Sequence, residues 1–159
     1  MFIQPTSNDL GLMLGKSIGE ICPCGYIDPG FNHCAHFVSH VSHFQFGYTC
    51  FAETGKGSSD DRACVRVVEL FPRCTSVGNW ADRPGHLRSG LIFVTDRGNV
   101  HLKARVIDNV RKKHVGFFIG DTVWHYSNTD GKVVTQTPEQ FNHHYPGNSI
   151  GLFYGAYPI

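Results

Sequence analysis

The sequence predicts an α+β fold in which N-terminal helices pack on a C-terminal antiparallel β-sheet. Three observations carry that prediction. Residues 30 to 44, GFNHCAHFVSHVSHF, repeat apolar side chains at helical spacing. From Gly90 onward the chain turns into short segments rich in β-branched and aromatic residues: GLIFVTD, NVHLKARVI, KHVGFFIG, TVWHYSN, KVVTQT and IGLFYGAY. Between them stand DRGN, GD and NTDGK, the punctuation of hairpins.

In chain order, residues 7 to 20 read as an opening helix capped by Ser7 or Asn8, weakened by Gly11, Gly15 and Gly19. CPCGYIDPGFN, dense in Pro and Gly, is loop, and residues 33 to 44 form the next helix with Asn32 as its N-cap. ETGKGSSDDR and GNWADRPGHLRSG are loops, and ACVRVVELF between them fits a helix or a strand. After the strands begin, TPEQF has a helix-start signature, with Thr137 as cap, Pro138 at the first position and Gln140 three residues after the cap. No repeat or long linker divides the chain, so residues 1 to 159 read as one domain.

Composition excludes several classes. With 41% hydrophobic and 17% charged residues the chain is globular, and a net charge of +1 gives no general attraction to nucleic acid or anionic membrane. The basic run at Arg111 to Lys113 is a short solvated turn. No apolar run approaches the ~18 residues that span a bilayer. MFIQPTSNDL lacks the basic start and apolar core of a secretory signal, which implies synthesis in the cytoplasm and any export by a signal-independent route. The six cysteines are then expected reduced. CPC is not a CxxC and no second pair has zinc-finger spacing, so neither a metal nor another cofactor is expected.

On a helical wheel Phe37, Val38, Val41 and Phe44 share one sector with Cys34, the core-facing stripe. His33, His36, His40 and His43 share an adjacent sector and read as a polar, partly exposed face bordering a cleft. Cys34 and the histidines therefore point apart. His36 and His40 have the i, i+4 spacing of a ligand pair, but no third ligand is evident. Cys34 has two readings: a small core residue, or a thiol whose pKa is lowered by the free N–H groups of a helix start.

A cysteine nucleophile needs a base, and the base an orienting group. In KHVGFFIGDTVWHYSN, His114 and His125 lie roughly symmetrically about the Gly120-Asp121 turn, so a hairpin brings their imidazoles together on one face. NHCAHFVSHV followed by HVGFFIGDTVWHYSN resembles the NlpC/P60 superfamily of papain-like cysteine peptidases and amidases, as does GLIFV before the histidine. The resemblance implies a papain-like fold, Cys34 as nucleophile, His114 as base and His125 as the orienting residue. It also implies Tyr26 near the oxyanion site. His33 and His36, the histidines nearest Cys34, either shape the substrate cleft or face water. The implied substrate is a peptide amide of peptidoglycan, as for an antibacterial effector with a cognate inhibitor protein, a phage lysin or a housekeeping hydrolase. His33 stands where the family has Asp, Ala35-His36 where it has Ser-Gly, and Ser89-Gly90 where its strand carries Asp. HCAHFV also resembles the cysteine motif of lecithin:retinol acyltransferase-like proteins, in which the histidine strand comes first; here Cys34 precedes it. Two other classes remain open: transfer of the same thioester to an amine or hydroxyl, and a metal-binding module using His36, His40 and His143 or His144.

Overall fold

The computed structural model describes all of residues 1–159. It is an α+β fold of six short helices and a six-stranded antiparallel sheet. The helices are α1 (Ser7–Met13), α2 (Ile18–Ile21), α3 (Cys34–Ser42), α4 (Cys50–Thr54), α5 (Val67–Leu70) and α6 (Pro138–Asn142). The strands are β1 (Val77–Asn79), β2 (Ser89–Asp96), β3 (Val100–His101), β4 (Val106–Ile107), β5 (Lys113–Ile119), β6 (Thr122–Ser127), β7 (Lys132–Gln136) and β8 (Ile150–Gly155). The main sheet runs β1-β8-β2-β5-β6-β7, and β3 pairs only with β4.

Local chemistry explains where the elements differ from expectation. The opening helix breaks in two, because Gly15 turns the backbone to φ +81°. Thr6, rather than Ser7 or Asn8, caps α1, its hydroxyl accepting from Asp9 N–H while the Asp9 carboxylate accepts from Thr6 N–H. NVHLKARVI does not make one strand: residues 102–105 form a turn, with Arg105 at φ +54°, that divides it into β3 and β4. ACVRVVELF resolves into the single turn α5 after a bridge at Cys64. The helix start at Thr137 forms as its sequence indicates, with Thr137 and Gln140 capping each other.

The main core lies between α3 and the sheet. Cys34, Phe37, Val38 and Phe44 are buried, as the apolar stripe requires. The Phe37 ring meets Phe117 edge-on at 5.8 Å. Truncating a ring so placed, as in Phe37→Ala, costs about 3–5 kcal/mol. Strand alternation then sorts β5. Val115 and Phe117 join the α3 core, while Phe118 joins a second cluster with Ile92, Val94, Val123 and Phe141 of α6. His114, four residues before Phe118 on an uninterrupted strand, leaves the sheet on that second face.

Candidate active site

Cys34 is the first residue of α3, with His33 rather than Asn32 in the cap position. Asn32 nevertheless binds the helix start, since its Oδ1 accepts from Cys34 N–H at 3.0 Å. Asn128, just after β6, holds Asn32 in place by donating to the same oxygen at 2.8 Å, and it accepts from His33 N–H. Asn32 also donates to the Lys113 carbonyl, so the start of α3 is tied to the start of β5 and the end of β6.

The β5–β6 ladder opens at this point. Its register pairs Phe117 with Trp124, Phe118 with Val123 and Ile119 with Thr122, and pairing lapses before His114 and Ser127. Cys34 stands against the opening, with the Val115 N–H directed at its sulfur. The expected lowering of its pKa at a helix start does not occur. Burial pushes the thiol up to about 11, against the weaker pull of the Val115 and Ala35 N–H groups and the Lys113 charge. Only 1% of the residue is exposed, so the cost of desolvating a thiolate outweighs the first turn's dipole.

His114 and His125 do meet. In this register they are diagonal rather than directly opposed, and His114 Nε2 lies 2.9 Å from His125 Nδ1. Gly116 makes the approach possible: a Cβ there would stand 2.8 Å from the Trp124 carbonyl oxygen and 3.0 Å from the His125 Cβ. Gln136 completes the chain, its Oε1 accepting from His125 Nε2 at 2.8 Å. Sequence reasoning missed Gln136, which pairs with Val123 across β6–β7 and so shares the face of His125.

These contacts assign the protons. Burial first, then Gln136 in the opposite sense, leaves the His125 pKa at about 4, so the ring is neutral near pH 7. Burial, followed by the neighbouring His144 and His125, holds His114 well below the usual histidine range as well. With Gln136 Oε1 as acceptor, His125 carries its proton on Nε2, and its Nδ1 accepts from His114 Nε2–H. His114 Nδ1 is then an unprotonated lone pair. It is buried and has no hydrogen-bond partner, and no hydrogen bond joins it to the Cys34 thiol. His144 stacks on the outer face of His114 at 4.0 Å and 14°, covering it from the second face of the sheet. Tyr145 follows, and burial together with the nearby Cys34 holds its phenol protonated.

Beside Cys34 opens a cavity of about 100 Å³ lined by Asn32, Val65, Val67 and three cationic side chains, Arg66, Arg111 and Lys113. Tyr26, His33 and His36 do not line it. Tyr26 stacks on Phe31 and meets the His33 and His36 rings edge-on, at 5.5 and 5.3 Å. Both ring nitrogens of His33 are engaged, by His36 and by the Asp28 carbonyl. The histidine face is not solvated either: His33 and His36 are 1% and 0% exposed, and only His43, the helix's left-handed C-cap at φ +54°, stands in solvent. His36 turns toward Cys22, His40 and Cys50.

Comparison with protein-family models, with curated proteins and with solved structures finds no match to this chain.

Proposed function

We propose that the protein is a thiol-dependent amide hydrolase of papain-like type, with Cys34 as nucleophile, His114 as general base and His125 as the residue that orients it. The observation that carries this reading is His114 Nδ1: a buried, unprotonated imidazole nitrogen with no partner, on the strand whose next N–H points at the Cys34 sulfur. A buried polar atom left unpaired costs about 1–3 kcal/mol, which a catalytic demand explains.

In the proposed reaction the Cys34 S–H proton passes to His114 Nδ1 as sulfur bonds to the amide carbonyl carbon. His114, now cationic, is stabilised by donating Nε2–H to His125. The tetrahedral adduct collapses when Nδ1–H protonates the leaving amine and the C–N bond breaks. Water, deprotonated by the same nitrogen, then cleaves the thioester and restores the thiol. Cys34 N–H is already given to Asn32 and Tyr26 packs on the histidine row, so the positive charge offered to the developing anion is that of Lys113, which already favours a thiolate at Cys34. The cations around the cavity favour a substrate carrying carboxylates close to the scissile amide. The acidic stem peptides of peptidoglycan have that chemistry.

Digestion of purified peptidoglycan followed by mass spectrometry of the fragments tests the reading. New amine and carboxyl termini are expected with the wild type and none with Cys34→Ala. Equal release by both proteins, or by neither, sinks it. Adding an amine acceptor to the digest separates hydrolysis from acyl transfer, because a transferase gives the acceptor amide as its main product.

A further inference from the structure

A second Cys/His cluster lies on the other side of α3 and takes no part in the reaction above. Cys22 at the end of α2, His36 and His40 on α3, and Cys50 at the start of α4 place one donor atom each within 4.8 Å of one another. His36 Nε2 lies 3.1 Å from His40 Nε2, and Cys50 Sγ lies 3.8 Å from His40 Nε2. Zinc binds thiolate sulfur at about 2.3 Å and imidazole nitrogen at about 2.0 Å, so a tetrahedral site sets its donors about 3.3–3.8 Å apart. The two distances fall close to that range, and the rest need only small side-chain shifts.

The tautomer of His36 is a second, independent sign. The Asp28 carbonyl can only accept, so His33 Nε2 donates to it at 2.7 Å and His33 Nδ1 is a lone pair. His36 Nδ1, 3.1 Å from that nitrogen, must donate to it. His36 Nε2 is then unprotonated and directed into the cluster, opposite a second ring nitrogen and two sulfurs. A histidine whose far N–H is fixed by an outer acceptor is the usual arrangement of a metal ligand, since it raises ligand basicity and locks the ring. The cluster is also dry: His36 and Cys50 are 0% exposed and Cys22 is 4% exposed.

We propose that Cys22, His36, His40 and Cys50 form a structural zinc site. Four protein ligands close a tetrahedron and leave no position for water or substrate, so the metal holds structure and performs no chemistry. It joins α2, α3 and α4, which share few other contacts because each is short. It also closes the loop from Cys22 to His36, which carries Asn32 to the start of α3. This inference stands apart from the hydrolase reading and survives its failure.

Protein expressed without a histidine tag and dialysed exhaustively is expected to carry a single zinc per chain by plasma mass spectrometry. Cys50→Ser and His40→Ala should lose it, while Cys74→Ala, at a buried cysteine outside the cluster, should keep it. Cobalt substituted for zinc in the wild type should give the visible absorption of a tetrahedral site with thiolate charge-transfer bands. Because a variant that misfolds would also lose metal, zinc release from the wild type is followed while thiols are titrated with a mercurial. Release tracking the modification of cluster thiols supports the site. Wild-type protein with no zinc that also fails to bind cobalt overturns it, as does full zinc occupancy in Cys50→Ser or a Cys22–Cys50 disulfide in the non-reduced protein.

Discussion

Two thiols near α3 sit in opposite electrostatic states, and the helix start is not what separates them. At Cys34 burial dominates and the thiol is held up to about 11. At Cys50 hydrogen bonding from Cys22, helped by Ala63 N–H and Cys24, outweighs burial and brings the thiol down to about 6. Each residue opens a helix, and both are almost fully buried. What differs is the balance: burial outweighs the N–H groups at Cys34, whereas the donors led by Cys22 outweigh burial at Cys50. The histidine chains differ in a parallel way. His36 is oriented, through His33, by a backbone carbonyl whose polarity cannot change, whereas His125 is oriented by the Gln136 side-chain amide, which can rotate. One chain ends on a fixed acceptor and the other on an amide that can turn, while burial keeps the Cys34 thiol protonated near pH 7.

The sharpest way to break that comparison is to remove each thiol and ask which property is lost. Cys34→Ala is expected to lower turnover at least about a thousandfold, since it removes the proposed nucleophile. It should shift stability by no more than about 1–2 kcal/mol and leave metal content unchanged. Cys50→Ser should do the reverse, with stability falling by about 3–5 kcal/mol, or roughly 10 °C in Tm for a chain of this size. Its turnover in the cold should stay within several-fold of wild type. Thermal melts and steady-state rates on the two variants check both halves. Metal loss that abolishes turnover outright, in protein still folded by circular dichroism, would merge the two clusters into one site.

How far the sequence reveals each cluster depends on how local its parts are. The His114–His125 contact is legible because a two-residue turn at Gly120-Asp121 fixes the hairpin and brings both rings to one face. Gln136 is not, because its place depends on the register of β7 against β6, which KVVTQT does not specify. The helical wheel separates Cys34 from the histidines correctly, yet it places His33 and His36 at the surface. Segments from elsewhere, the end of α2 with Cys22, the loop with Tyr26 and the start of α4 with Cys50, fold over that side of α3 and bury them. A wheel describes one helix and carries no information about what covers it. The i, i+4 pair of His36 and His40 beside surplus reduced cysteines is the one signal that pointed there. The α+β plan was legible from period and turn chemistry, whereas the broken opening helix depended on a single glycine conformation at Gly15.

Acid should sharpen the contrast by acting on the neutral imidazoles of the candidate active site. The His125 pKa is about 4 in the folded chain and near 6.5 when unfolded. Between those values the unfolded state binds the proton and the native state does not, so stability is full above about pH 6.5 and falls as pH drops toward 4. The loss from His125 alone is on the order of 3 kcal/mol, and His114, lowered by burial, adds in the same direction. Denaturant titrations from pH 7 to 4 measure it, and His125→Gln should flatten the slope. A slope unchanged by that substitution would mean that His125 is charged in the native state.

The smallest effect expected concerns direction rather than charge. If Gln136 Oε1 accepts from His125, the protons point from His114 toward β7 and leave His114 Nδ1 free to act as a base. Gln136→Glu can only accept in its ionised form, so it preserves that polarity. It should keep kcat within a few-fold while raising the His125 pKa and moving the acid limb of the rate profile to higher pH. Gln136→Ala removes the anchor and lets both tautomers populate, for a loss of about tenfold in kcat, or ~1.4 kcal/mol, with KM little changed. Were the amide turned the other way, His114 Nδ1 would carry the proton and could not take another from Cys34. Gln136→Glu would then reverse the chain and raise kcat, so the sign of that one change tells which end of the amide faces His125.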